Sequence, residues 1–101
     1  MAKILIVEDE QAIRNVLSNI ISEEDKSYEV DLAENGLEGL EKLTKDSYDL
    51  VLCDIKMPKM DGIELLDKAI EIQPDITIVM ISGHGDIETA VDCIKKGAFD
   101  Y

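Results

Sequence analysis

The chain has no tryptophan, and only 4% of its 101 residues are aromatic. Its core must therefore be built from Ile, Leu, Val and Ala. The 46% hydrophobic content is enough for such a core and too high for a disordered chain. Basic residues are also scarce: 10 Lys and Arg stand against 23 Asp and Glu, a formal net charge of −13. That charge argues against direct binding to nucleic acid or to an anionic membrane, since both would repel it. It suits cationic ligands or basic partner surfaces, unless it serves solubility alone. The two cysteines, Cys53 and Cys93, have neither C-x-x-C spacing nor a nearby histidine. With no secretory signal, they point to a reducing, cytoplasmic setting. Cys53 is expected to act as a small buried hydrophobe. No apolar run approaches the length of a membrane span.

What is present is an alternation of short aliphatic runs and helical stripes. Length and continuity predict a single domain over 1–101. Lys3 to Val7 is an unbroken aliphatic run, the pattern of a strand covered on both faces. A helix is predicted from about Glu10 to Ile21, with Ile13, Val16, Leu17, Ile20 and Ile21 at helical spacing. Tyr28 to Ala33 reads as a second strand nearer an edge. Asn35-Gly36 turns the chain into a short helix with Leu37, Leu40 and Leu43 on its apolar side. Asp49 to Cys53 is the third strand, and Met57 to Gly62 is a loop stiffened by Pro58. Ile63, Leu66, Ala69 and Ile70 stripe a third helix, which Pro74-Asp75 ends before a fourth strand, Ile76 to Ile81. Asp86 is placed to cap a fourth helix with Ile87, Ala90, Val91 and Ile94 inward, and Gly97 to end it. Ala98 to Tyr101 begins a fifth strand. The repeated β-α order implies a doubly wound parallel sheet, with helices on both faces.

In such a sheet the loops after Val7, Cys53 and Ile81 share one rim, at the carboxyl ends of the strands. That rim collects Glu8, Asp9, Glu10, Asp54, Asp61, Ser82 and His84. Carboxylates this close repel one another unless a cation or a shared proton intervenes. Hard oxygen donors with open positions suit Mg2+. An ionised Asp54 could act as a nucleophile toward phosphorus, with Ser82 donating its hydroxyl to a phosphoryl oxygen. Each residue also has a plainer reading. Glu8-Asp9-Glu10 could favour the positive end of the first helix. Asp61 is expected chiefly as a helix cap, and His84, beside two glycines, as a solvated loop residue.

At these residues the chain resembles a bacterial response-regulator receiver domain. The resemblance rests on Glu8-Asp9 after the first strand, Asp54 ending the third, Met57-Pro58 with Asp61-Gly62, and Ser82 ending the fourth. The segments Ser82-Gly83-His84-Gly85, Ala90-Val91 and Gly97-Ala98-Phe99-Asp100-Tyr101 are most similar to receivers of AAA+ enhancer-binding activators of the nitrogen-regulator class. The resemblance implies a flavodoxin-like fold of strand order 2-1-3-4-5. It implies phosphorylation of Asp54 by a sensor histidine kinase. Mg2+ would be bound by Asp9, Asp54 and the Lys56 carbonyl, with Glu8 acting through a water. Ser82 would contact the phosphoryl group, and Tyr101 would be the switch aromatic. Lys56 and His84 fall at positions that tune hydrolysis of the acyl phosphate.

The family also places a lysine about three residues beyond the switch aromatic, as a charge clamp on the phosphoryl group. Because the sequence ends at Tyr101, that lysine, most of the fifth strand and the fifth helix are expected to be missing from an incomplete domain. An exposed fourth strand and an uncovered first helix would then favour self-association, as a homodimer or by exchanged elements. The expected role is a phosphoacceptor switch controlling an output domain, which the resemblance places in transcription, and not a turnover enzyme. Two alternatives are a receiver-fold interaction module that is never phosphorylated and an aspartyl-nucleophile phosphatase. The second is disfavoured because such enzymes place an acid two residues after the nucleophile, where this chain has Lys56.

Overall fold

The structure, a computed structural model, describes residues 2–81, 91 and 94–98. Its elements are β1 (Lys3–Val7), α1 (Gln11–Glu24), β2 (Glu29–Ala33), α2 (Gly36–Lys45), β3 (Leu50–Asp54), α3 (Gly62–Ile72) and β4 (Ile78–Ile81). All strand pairings are parallel, in the order β2-β1-β3-β4. This is the expected doubly wound, flavodoxin-like arrangement, with β1 and β3 in the middle. Of the expected fifth strand, Ala98 is described and is not in a strand, while 99–101 lie outside the described residues.

Two helices start where their capping residues predict. The Asn35 side chain accepts a hydrogen bond from the Glu38 N–H at 2.9 Å, and Asp61 does the same for Glu64 at 2.9 Å. Asp61 therefore fills the capping role expected of it. Gly97 has φ of +114° and donates to the Ile94 carbonyl, which suits a glycine at a helix end.

Side chains alternate across the sheet with a period of two. Leu5, Val7, Val51, Cys53, Ile78 and Met80 form one row, buried against Leu43 of α2 and Leu65, Leu66 and Ala69 of α3. Ile4 and Ile6 of the opposite row are buried, but Leu50, Leu52, Val79 and Ile81 are only half-buried.

Several boundaries differ from the sequence-based expectation. β4 begins at Ile78, because the Ile76 N–H is used by the preceding turn, donating to Gln73 at 3.0 Å. β2 begins at Glu29, β3 extends to include Asp54, and α1 runs on through Ser22-Glu23-Glu24. The larger correction concerns which side chains face inward. On α1, Arg14 is buried and Leu17, Ser18 and Ile21 are half-buried, a set at helical spacing. Ile13, Val16 and Ile20 are exposed by 38%, 56% and 59%. Leu37, Val91 and Ile94, also expected on inner faces, are exposed. A broad apolar stripe does not say which of its edges meets the sheet; packing decides that.

Candidate functional site

The register of β1 and β3 builds the site. Val7 pairs with Cys53, so the residues that follow each, Glu8 and Asp54, stand side by side at the carboxyl ends of the central strands. Carboxylate oxygens of Glu8, Asp9 and Asp54 all lie within 4.8 Å of one another. Glu8 is buried, Asp54 half-buried and Asp9 exposed, so the cluster opens to solvent through Asp9.

The Glu8-Asp9-Glu10 trio does not cap α1. Glu10 occupies the cap position without a side-chain cap bond. The Glu8 carboxylate instead accepts the Glu10 N–H at 2.9 Å, and the Glu8 N–H donates to the Ala33 carbonyl at 3.0 Å. These bonds turn the loop back over the strand ends and aim the Glu8 side chain into the rim.

The Glu8 carboxyl is raised from 4.5 to about 7, chiefly by burial and also by its neighbours Asp9 and Asp54, while the Glu10 N–H opposes the rise. Asp54 is raised as well, mainly by burial and then by the charge of Asp9, although the Ile55 and Lys56 N–H groups favour its ionised form. The Ile55 N–H lies 2.8 Å from Asp54 Oδ1. Left to itself, the cluster therefore relieves its repulsion by holding a proton. A hard divalent cation would relieve it instead, and the all-oxygen donor set fits Mg2+.

The loop from Ile55 to Asp61 supports Asp54 from below. Lys59 adopts a left-handed φ of +69°, which costs a non-glycine residue about 1 kcal/mol. Met60 is buried beneath the start of α2. Gly62 donates its N–H to the Ile55 carbonyl at 2.7 Å. A Cβ on Gly62 would overlap the Asp54 carbonyl oxygen. Only glycine lets α3 begin this close to the acidic site.

The structure thus brings Glu8, Asp9 and Asp54 together. The Lys56 side chain is exposed beside them. Ser82, His84, Asp86 and Tyr101 lie outside the described residues. Sequence reasoning overlooked Arg14, which is buried and donates through Nη1 to the Glu8 carbonyl at 2.7 Å. Its signal was available: it is the only arginine in the chain and stands one turn into α1, close behind the acidic pair.

Residues 4–101 match the response regulator receiver domain model, and the chain belongs to that family. The transcriptional regulatory protein ZraR of Klebsiella oxytoca is 40% identical over 98 residues, covering 97% of this chain and 22% of that protein. The crystal structure of NtrX from Brucella abortus is also 40% identical, with a TM-score of 0.89 over 98% of this chain and 22% of that one. The chain thus spans about a fifth of the length of either. A CheX-CheY-BeF3-Mg2+ complex from Borrelia burgdorferi matches with a TM-score of 0.93 and 33% identity, over 98% of this chain and 75% of that one. The similarity to ZraR and NtrX agrees with the regulator class that the 82–101 segment resembles. Among the described residues, no helix is long and apolar enough to cross a membrane.

Proposed function

We propose that this chain is the phosphoacceptor receiver of a two-component response regulator, taking a phosphoryl group from a sensor histidine kinase onto Asp54. The observation that carries this reading is the convergence of Glu8, Asp9 and Asp54 within 4.8 Å at the strand ends of a receiver-family domain. Support also comes from the beryllofluoride and Mg2+ named in the Borrelia complex.

Asp9, Asp54 and the Lys56 carbonyl would hold Mg2+, with Glu8 acting through a water. The bound cation would offset the carboxylate charge and attract phosphoryl oxygens. Asp54 must be ionised to act, and the Ile55 and Lys56 N–H groups favour that form. Its free oxygen attacks the phosphorus of a phosphohistidine. A P–O bond forms as the P–N bond breaks, and the departing imidazole keeps the bonding pair and takes a proton from solvent. Ser82 donates to the transferred group and Tyr101 responds as the switch aromatic, biasing an output domain that acts in transcription. The domain turns over no metabolite, and its setting is cytoplasmic.

Binding of beryllofluoride in the presence of Mg2+ tests the reading. Calorimetry should give saturable, Mg2+-dependent binding, and Asp54→Asn should remove it. Undiminished binding in Asp54→Asn would overturn the assignment of the acceptor.

The exposed Ile13, Val16 and Ile20 and the half-buried outer row of the sheet support self-association as a homodimer. Among the described residues, β4 pairs only with β3, which leaves a second route through its free edge. Sedimentation velocity should show mass increasing with concentration. A compact monomer at millimolar concentration would remove this part of the proposal.

A further inference from the structure

Arg14 is the chain's single arginine and, among the described residues, its one buried cation. Its Nη2 lies 3.7 Å from Glu34 Oε1, on a side chain that is 68% exposed. Such a loose surface pairing contributes little. The firm bond is the one from Nη1 to the Glu8 carbonyl, 2.7 Å long and buried. Desolvating a guanidinium for one backbone carbonyl is a poor way to stabilise a fold. What the bond does secure is a particular peptide plane, the one joining Glu8 to Asp9.

The peptides on either side of it are held by other bonds, so the bond from Arg14 is the one that acts on this plane itself. The Glu8 N–H is tied to Ala33 at 3.0 Å, the Glu8 carboxylate to the Glu10 N–H at 2.9 Å, and the Glu8 carbonyl to Arg14. Without Arg14 the carbonyl end of Glu8 loses this anchor, and the peptide can rotate. Rotation would swing Asp9 relative to Asp54, although neither carboxylate touches the guanidinium through a described hydrogen bond.

We propose that Arg14 is a positioning residue that locks the Glu8-Asp9 peptide, so that these two carboxylates meet Asp54 at the spacing Mg2+ requires. The proposal rests on reading the cluster as a Mg2+ site. Two effects of Arg14 on a cation oppose each other. Its positive charge repels the ion, whereas its hydrogen bond organises the donors. Charge alone makes Mg2+ bind more tightly when Arg14 is removed; positioning makes it bind less tightly. Mg2+ also demands near-octahedral geometry, while Ca2+ accepts irregular sites. A loosened loop therefore penalises Mg2+ more than Ca2+, which a simple loss of stability does not.

The experiment compares Mg2+ and Ca2+ dissociation constants by calorimetry for the parent chain, Arg14→Met, Arg14→Lys and Glu34→Gln. Arg14→Met should weaken Mg2+ binding about tenfold, the scale typical of residues that orient metal ligands, with a smaller loss for Ca2+. Arg14→Lys should recover part of the loss, because an ammonium can still donate to the Glu8 carbonyl. Glu34→Gln should stay within about twofold of the parent, as expected for an exposed pair. Unchanged or tighter Mg2+ binding in Arg14→Met, or equal losses for both ions, overturns the proposal. If Arg14→Met loses its far-UV circular dichroism, Arg14→Lys decides by the same ratio: reduced preference for Mg2+ over Ca2+ supports positioning, and an unchanged preference overturns it. Failure of the parent chain to bind Mg2+ would overturn the metal reading itself, and no variant is needed to see it.

Discussion

Gly62→Val is expected to weaken the proposed Mg2+ binding and to cost much of the folding stability as well. A Cβ at this position overlaps the Asp54 carbonyl oxygen and crowds the Ile55 backbone. Neither obstacle is a flexible side chain that could swing aside. Relief requires α3 to retreat from β3, which would break the Gly62 N–H bond to Ile55 and shift the Asp61 cap. Overpacking a tight site costs about 1–3 kcal/mol and sometimes more, and this clash is with backbone, so about 3 kcal/mol is expected. That is a large share of the roughly 5–15 kcal/mol by which domains are stable. Because the displaced carbonyl belongs to Asp54 itself, metal affinity should fall along with the urea midpoint. Parent-like values of both in Gly62→Val would show that α3 does not bear on the acidic site.

In the absence of divalent cations, the protein loses stability as the pH rises from about 4.5 to about 7. The sign follows from linkage. Glu8 has a folded-state pKa raised from 4.5 to about 7, so across that window the folded chain holds more protons than the unfolded one. Stability is then fully present below the unfolded value and is lost as pH climbs through the folded one. Asp54, also raised, acts in the same direction. Asp25 acts the other way, because the Ser27 N–H lowers its pKa. Its contribution disappears as pH falls below the ordinary value of 3.8, outside the window.

The rise from 4.5 to about 7 would be worth roughly 3 kcal/mol at full strength; solvent reaching the cluster through Asp9 screens it to on the order of 2 kcal/mol, or about 10 °C in Tm for a domain of this length. Bound as proposed, Mg2+ would compete with the proton for the same oxygens, so it should restore stability at pH 7.5 and do little at pH 5. Thermal melts in EDTA and in Mg2+ at both pH values read this directly. Glu8→Gln, which carries no titrating proton, should flatten the EDTA profile. A profile with the same slope in Glu8→Gln would assign the effect to other groups.

The parts of the site that were legible in the sequence share a cause. β1 and β3 are central strands, so they read as unbroken aliphatic runs, and Asp54 stood out as the carboxylate ending one of them. Asn35 and Asp61 were legible because a cap is a local hydrogen bond, made within three residues of the capping side chain. Ser82 and Tyr101, read from the family resemblance, fall outside the described residues. Arg14 stood out as the only arginine in the chain, but its role was not legible, because an arginine on a helix usually faces water and its acceptor is a backbone carbonyl that no composition reveals.

The sequence by itself determined the β-α alternation, the parallel sheet and the location of the acidic rim. Hydrophobic period, caps and turn residues are local properties written along the chain. Tertiary structure alone decided the rest. It set the register that places Glu8 beside Asp54, the rotation of α1 that turns Arg14 inward and Val16 outward, and the close approach that makes Gly62 indispensable. Each of these depends on how separate elements pack against one another, where small shifts exchange one face or partner for another.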